Sequence, residues 1–250
     1  MQVITIGGGK GGTGKTTFTR NLAPLLARRW RVLAIDGDSQ GGLTLANGIT
    51  TPPYTLADVL MGKRTLSGAM VDAGTFRIVC ASRALAEAEL VIAGKIGRES
   101  LLRRALAIVA SDFDVVLIDS GPSLGLMSVN ALAASDGVVC VVRPQAQDLG
   151  ALAEYMQTVA EIQSAINPSV VTIGIVANEY STQLNHHAEA LAMLKAETGV
   201  PMLGTIGRSV RLAEAAAQGL ALADYEPSND RVGEIEHITR GIERWLKSKQ

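Results

Sequence analysis

No apolar run in this sequence comes near the roughly 18 residues that a membrane-crossing helix needs, so no helical span is expected. Cysteine is scarce. The two present, Cys80 and Cys140, fall in apolar strand-like runs and read as core thiols of a reducing compartment. Net charge is lacking too, at −1 over 250 residues, so the chain as a whole is not steered to nucleic acid and any polyanion contact must be a local patch. There is no internal repeat, low-complexity tract or linker. A glycine-rich loop begins a few residues from Met1, which leaves no room for a signal peptide, a transit peptide or an N-terminal helix-turn-helix module. A cytoplasmic protein is expected.

What the chain does have is apolar content: 47% of its residues are hydrophobic, enough for a sizeable core, and one domain over residues 1–250 is the expectation. Strand-like runs at Val3 to Ile6, Arg31 to Asp36, Phe76 to Cys80, Val115 to Ile118, Gly137 to Val142, Val170 to Ala177 and Met202 to Ile206 are near-continuous in Val, Ile and Leu. Segments with helical spacing alternate with them: Phe18 to Arg29, Glu99 to Ala110, Leu149 to Ile166, His186 to Glu197, Val210 to Gln218 and Val232 to Lys247. Such alternation predicts an α/β fold, a mostly parallel twisted sheet buried on both faces by helices. Thr44 to Gly74 reads as loop with one short helix near Leu56 to Met61.

The chemistry centres on the first loop. Gly9 to Thr16 satisfies the phosphate-loop pattern G-x-x-x-x-G-K-[ST], between a strand and a helix. Gly9, Lys10, Gly11, Gly12, Thr13 and Gly14 supply a backbone able to aim successive N–H groups at phosphate oxygens, and the helix that follows adds its positive end. Lys15 serves as a point charge for the β- and γ-phosphates, Thr16 as a Mg²⁺ ligand, and Thr17 reaches the α-phosphate. Asp119 ends an apolar strand in the manner of a Walker B carboxylate, which holds Mg²⁺ through water. Asp36 and Asp38 close an earlier strand and, in a parallel βαβ unit, arrive beside the phosphates. A GTP enzyme would be expected to show Asn-Lys-x-Asp after a late strand. The chain has Asn178-Glu179-Tyr180-Ser181, which favours adenine.

The second lysine, in Lys10-Gly11-Gly12-Thr13-Gly14-Lys15-Thr16-Thr17, resembles the deviant Walker A box of the ParA/Soj/MinD ATPases. Asp36-Gly37-Asp38-Ser39-Gln40-Gly41, Ile118-Asp119-Ser120-Gly121-Pro122-Ser123-Leu124 and Val210-Arg211-Leu212-Ala213-Glu214-Ala215 are similar to that family's further segments, so the likeness spans nearly the whole chain. Ser39 stands where the family has proline, Gly42 where it has asparagine, and Ala215 to Gly219 softens its A-P-S-H-G.

The resemblance implies a P-loop NTPase fold and an ATP- and Mg²⁺-dependent ATPase. It implies a homodimer closed over nucleotide, in which Lys10 reaches the partner's phosphates; the alternative is a solvated loop lysine. Asp38 would orient the attacking water. Asp36 would help in the Mg²⁺ shell or, equally, cap the following turn. Asn178 matches the family's adenine-side amide, against a plain strand-end turn residue. Nonspecific DNA would be met by Arg208, Arg211, Arg231, Arg240 and Arg244, although acidic residues match the basic ones from Pro201 to Gln250. A ParB-like or other activating adaptor, a nucleoid-associated cytoplasmic location and a role in plasmid or chromosome partition follow from the same likeness.

Other members of the fold are separable by residues. Nitrogenase iron protein needs a cysteine shortly after Walker B, and Ser120 to Val129 has none. Iron–sulfur carriers have a C-x-x-C pair, and tyrosine-kinase relatives a tyrosine-rich tail; neither is present. MinD ends in an amphipathic membrane helix. Here Ile235, Ile238, Ile242, Trp245 and Leu246 form a stripe that core packing also explains. A carboxysome-positioning ATPase, or a module that uses ATP only as a clamp, are the remaining alternatives.

Overall fold

The computed structural model describes residues 1–249; Gln250, the last residue of the expected domain, lies outside the described residues. In chain order the strands are β1 (Gln2–Gly7), β2 (Val32–Gly37), β3 (Met70–Asp72), β4 (Arg77–Val79), β5 (Val115–Ser120), β6 (Gly137–Val142), β7 (Val171–Tyr180) and β8 (Met202–Gly207). The helices are α1 (Lys15–Ala27), α2 (Gly42–Ala46), α3 (Leu56–Leu60), α4 (Ala84–Ile92), α5 (Leu101–Ile108), α6 (Leu126–Ala134), α7 (Ala146–Ala165), α8 (Asn185–Thr198), α9 (Val210–Ala217), α10 (Leu222–Tyr225) and α11 (Asp230–Lys247).

All eight strands join one sheet in the order β3-β4-β2-β5-β1-β6-β7-β8, parallel except for β3, which runs antiparallel to β4 at the edge. The expected α/β architecture is what forms. Strand alternation distributes the core between two faces. Ile4, Ile6, Ala34, Val139 and Val141 face α1, α9 and α11, whereas Val3, Leu33, Ile35, Val138 and Cys140 face α3 to α8. Because β2, β5 and β1 are parallel neighbours, their carboxyl ends lie side by side, with Ile6 in register with Asp119 and Asp119 with Asp36. A ligand of such a sheet binds at those ends.

Thr44 to Gly74 departs from the expected loop with one helix. The segment before α3 begins inside a second short helix, α2, and the end of the stretch forms β3. Three residues at a sheet edge carry too little periodicity to announce a strand. Helices α4 and α6 also have no counterpart in the sequence reading. Residues of α6 are buried nearly all round, including Met127, Ser128, Asn130, Ala131, Leu132 and Ala133, so no stripe marks it. In α4, Leu90 and Val91 are exposed beside the buried Leu85, Ala88 and Ile92, which blurs the stripe.

Helix α11 buries Val232, Ile235, Ile238, Ile242 and Leu246 against the sheet, and its neighbours are β8 and α1. The apolar stripe noted in the sequence is therefore core. No described helix is long and apolar enough to cross a membrane.

Candidate functional site: the phosphate loop and its carboxylates

The loop between β1 and α1 can hold its path only with glycine where it passes closest to its neighbours. A Cβ on Gly9 would lie 1.9 Å from the carbonyl oxygen of Ala151, and Gly14 combines φ +96° with a Cβ position 2.1 Å from Asn178 Nδ2. The loop thus rests on α7 on one side and on the end of β7 on the other. Beyond it opens a cavity of about 600 Å³ lined by Gly11, Gly12, Gly14, Lys15, Thr16 and Thr17 from the loop. Asp38, Gln40, Ser120, Pro122, Asn178 and Glu179 complete one wall, and Gly207 to Val210 with Leu212 and Ala213 the other.

Lys15 is buried, and its ammonium donates to the backbone oxygen of Lys10 at 2.8 Å. Burial pushes its pKa below the usual lysine value, while the nearby Asp119 and Asp38 push it back up. The cation is desolvated and has no carboxylate in direct contact, so an incoming anion would find a strong unsatisfied charge. Thr16 donates its hydroxyl to Asp119 Oδ2 at 2.7 Å, and Thr19, one turn further along α1, donates to Oδ1 at 3.2 Å. Thr19 was not read from the sequence; its position three residues after Thr16, on the same helix face, is the signal that could have found it.

Asp119 has no exposed surface. Burial, then the carboxylate of Asp36 beside it, push it up to about 7, against the hydrogen bonds of Thr16 and Thr19 and the charge of Lys15. Asp36 is equally buried and is pushed up to about 6 by burial, even with three hydrogen bonds opposing the shift. Those bonds come from Thr44 N at 2.8 Å, Thr44 Oγ1 at 2.7 Å and Asp38 N at 3.2 Å. Asp36 therefore caps the start of α2 and the turn before it, one of its two expected roles. Its carboxylate also stands against Asp119 in the next strand.

Asp38 is half-buried and lines the cavity; its Oδ1 accepts from Gln40 N at 3.0 Å. Asn178 donates its amide to the Thr13 backbone oxygen at 2.8 Å, which ties β7 to the loop and leaves its side-chain oxygen without a protein donor. Lys10 does not line the cavity. Its ammonium sits 2.6 Å from Asp148 Oδ1, and Arg143 Nε donates to the other oxygen of Asp148 at 2.6 Å. Asp148 is fully buried as a side chain, and removing one partner of a buried ion pair costs about 3–5 kcal/mol, so this carboxylate must stay paired. Neither Arg143 nor Asp148 belongs to a motif, and no local spacing points to them.

The arginines divide. Arg211 is engaged by Glu214 at 2.6 Å and Glu226 at 3.2 Å, and Arg231 by Glu234 at 3.1 Å. Arg208, Arg240 and Arg244 form no ion pair among the described residues.

The donor set suits a nucleoside triphosphate with a hard cation. A hydroxyl and a carboxylate in contact, with no group of three or more His, Cys, Asp or Glu gathered elsewhere among the described residues, fit Mg²⁺, which keeps waters and phosphate oxygens as its other ligands. They do not resemble an all-protein metal cage.

Comparison with known proteins agrees with this geometry. A family described as "AAA domain" matches residues 1–172. The chain is 34% identical over 231 residues to the chromosome-partitioning ATPase Soj of Thermus thermophilus, covering 92% of this chain and 90% of that one. It is 33% identical over 233 residues to the sporulation initiation inhibitor protein Soj of Bacillus subtilis, covering 90% and 92%. Among solved structures, cobyrinic acid a,c-diamide synthase from Mycobacterium smegmatis with bound ATP analog and magnesium superimposes at TM-score 0.89. That pair is 28% identical, covering 100% of this chain and 97% of the other. The chain belongs to the ParA/Soj/MinD family of P-loop ATPases and is Soj-like within it.

Proposed function

We propose that the protein hydrolyses ATP with Mg²⁺, forms a homodimer while ATP is bound, and in that state holds nonspecific DNA to position or segregate a plasmid or chromosome. The observation that carries this reading is the convergence of Lys15, Thr16, Asp38 and Asp119 with a glycine backbone on one cavity at the carboxyl ends of β1, β2 and β5. The names of the Soj relatives support the partition role. A second reading, in which the same engine positions a protein cargo, differs only in the adaptor.

Lys15 exchanges its bond to the Lys10 carbonyl for the β- and γ-phosphate oxygens, and the loop N–H groups with the start of α1 hold the rest of the triphosphate. Thr16 and Asp119 would hold Mg²⁺, which supplies charge neutralisation between the phosphates. Asp38, on the cavity wall, orients the attacking water. Asn178 offers its free side-chain oxygen toward the base side. Lys10 of one copy reaches the phosphates held by the other, a cation supplied only on dimerisation. Turnover is slow until an adaptor of the ParB kind binds. For DNA, Arg208, Arg240 and Arg244 are the available cations, while Arg211 and Arg231 must first leave their carboxylates.

Two variants test the engine. Lys15→Ala should lose ATP binding in a fluorescent-nucleotide titration. Asp38→Ala should bind ATP as wild type does but release phosphate about a hundredfold more slowly, as for loss of one positioning group. Wild-type phosphate release from Asp38→Ala would remove Asp38 from its role.

A further inference from the structure

Two ties hold Lys10 on its own chain. Its side chain is bound to α7 through Asp148 at 2.6 Å and Gln147 at 3.4 Å, and its backbone oxygen takes the Lys15 ammonium at 2.8 Å. The second tie uses the ammonium that would serve a phosphate, so filling the cavity would loosen Lys10 at its backbone. The first tie has a feature that a plain surface ion pair lacks. Asp148 is buried between two cations, and Lys10 is the more exposed, with 36% of its side chain accessible against 22% for Arg143.

A carboxylate buried with a single cation becomes an uncompensated charge when that cation leaves. Asp148 would keep Arg143 Nε at 2.6 Å after Lys10 departed. Burial opposes ionisation of Asp148, yet the bonds from Arg143 and Lys10 outweigh it and hold the carboxyl below its ordinary range. Arg143, on the other oxygen, thus shares the charge of this carboxylate with Lys10 and makes the lysine the removable member. The loop also packs against α7 at Gly9, which keeps Lys10 within reach of Asp148.

We infer that Asp148 and Arg143 are positioning residues for Lys10: a seat in cis that retains its ammonium until the triphosphate of a second copy competes for it. The inference rests on the proposed action of Lys10 in trans. It predicts opposite effects from neighbouring substitutions. Asp148→Asn removes the anion while keeping the shape, frees Lys10, and should lower the protein concentration needed for half dimerisation in ATP and Mg²⁺ about tenfold, as for loss of one charge-assisted bond. Arg143→Gln leaves Asp148 to Lys10 alone and should raise that concentration. In a Lys10→Ala background, Asp148→Asn should change nothing.

The experiment reads two quantities on the full-length protein. Acylation of Lys10 by an amine reagent, followed by mass spectrometry on the nucleotide-free monomer, should be faster than wild type in Asp148→Asn and slower in Arg143→Gln. Dimerisation in ATP and Mg²⁺, followed by sedimentation, should shift in the opposite directions just given, with fluorescent-ATP binding near wild type as the check on folding. A merely structural role would weaken the dimer in both variants, and that result overturns the inference. Unchanged Lys10 labelling in Asp148→Asn overturns the seat itself. A wild-type protein that never dimerises in ATP overturns the action of Lys10 in trans, while the labelling still decides whether Asp148 holds it.

Discussion

Asp36 and Asp119 face each other on adjacent strands, both without exposed surface, and each is easier to protonate in the fold than in the unfolded chain. Their folded values, about 6 and about 7, lie above the 3.8 of a free aspartate. The folded state therefore binds more protons than the unfolded one between these limits. Their contribution to stability is complete below about pH 4 and is lost as pH rises through 6 and 7. Asp119→Asn should melt higher than wild type at pH 8 without nucleotide, and close to it at pH 4, because the amide never acquires the charge that burial resists. Thermal unfolding at both pH values checks this, and the same pH dependence in both proteins would contradict it. At this scale the sequence was most legible where function sits in one short segment. Lys15, Thr16 and Asp119 could be read because a phosphate loop and a strand-end carboxylate are local patterns. Asp148 could not, since it acts through Lys10, far from it in the chain, and Arg143 and Thr44 could not, because their partners five and eight residues away are reached across turns that follow no regular period.

Elements were legible in proportion to how cleanly one face is buried. The strands buried on both faces and the long helices appear in the sequence within a few residues of their ends, as β6 does from Gly137 to Val142. Those missed are short, lie at an edge, or lack a polar face, as β3, α2, α10 and α6 do. Helix α11 gives the sharpest element-scale test, because its stripe had two readings and packing selects one. Ile238 has no exposed surface, and a Cβ on Gly204 of β8 would lie 2.8 Å from its Cγ1. Ile238→Ala should therefore cost about 2–5 kcal/mol in urea unfolding. A loss below about 1 kcal/mol, the range of surface positions, would mean that this face is not core. The intact protein should likewise fail to co-sediment with anionic liposomes, since the apolar face of α11 is already occupied.

Across the whole molecule, strand order was the part that the sequence left open. Local patterns specify that strands exist; only the crossovers bring β1, β5 and β2 together so that the phosphate loop and two carboxylates share one end of the sheet. The same assembly puts Lys10 outside the cavity, with its charge directed into α7. Dimerisation is thus the event that would give Lys10 a nucleotide to act on, and DNA affinity should follow it, because two weak patches on one body gain from effective concentration. Raising ionic strength should weaken DNA binding steeply and ATP binding much less.

ATP joins two copies through Lys10 in the proposed dimer. The most direct test of this joining is light scattering of wild type, Lys10→Ala and Lys15→Ala, each with and without ATP and Mg²⁺, beside a fluorescent-nucleotide titration. The expected result is a doubling of mass for wild type in ATP only, a monomer that still binds ATP for Lys10→Ala, and a monomer that does not for Lys15→Ala. An ATP-dependent dimer of Lys10→Ala as stable as wild type would contradict it.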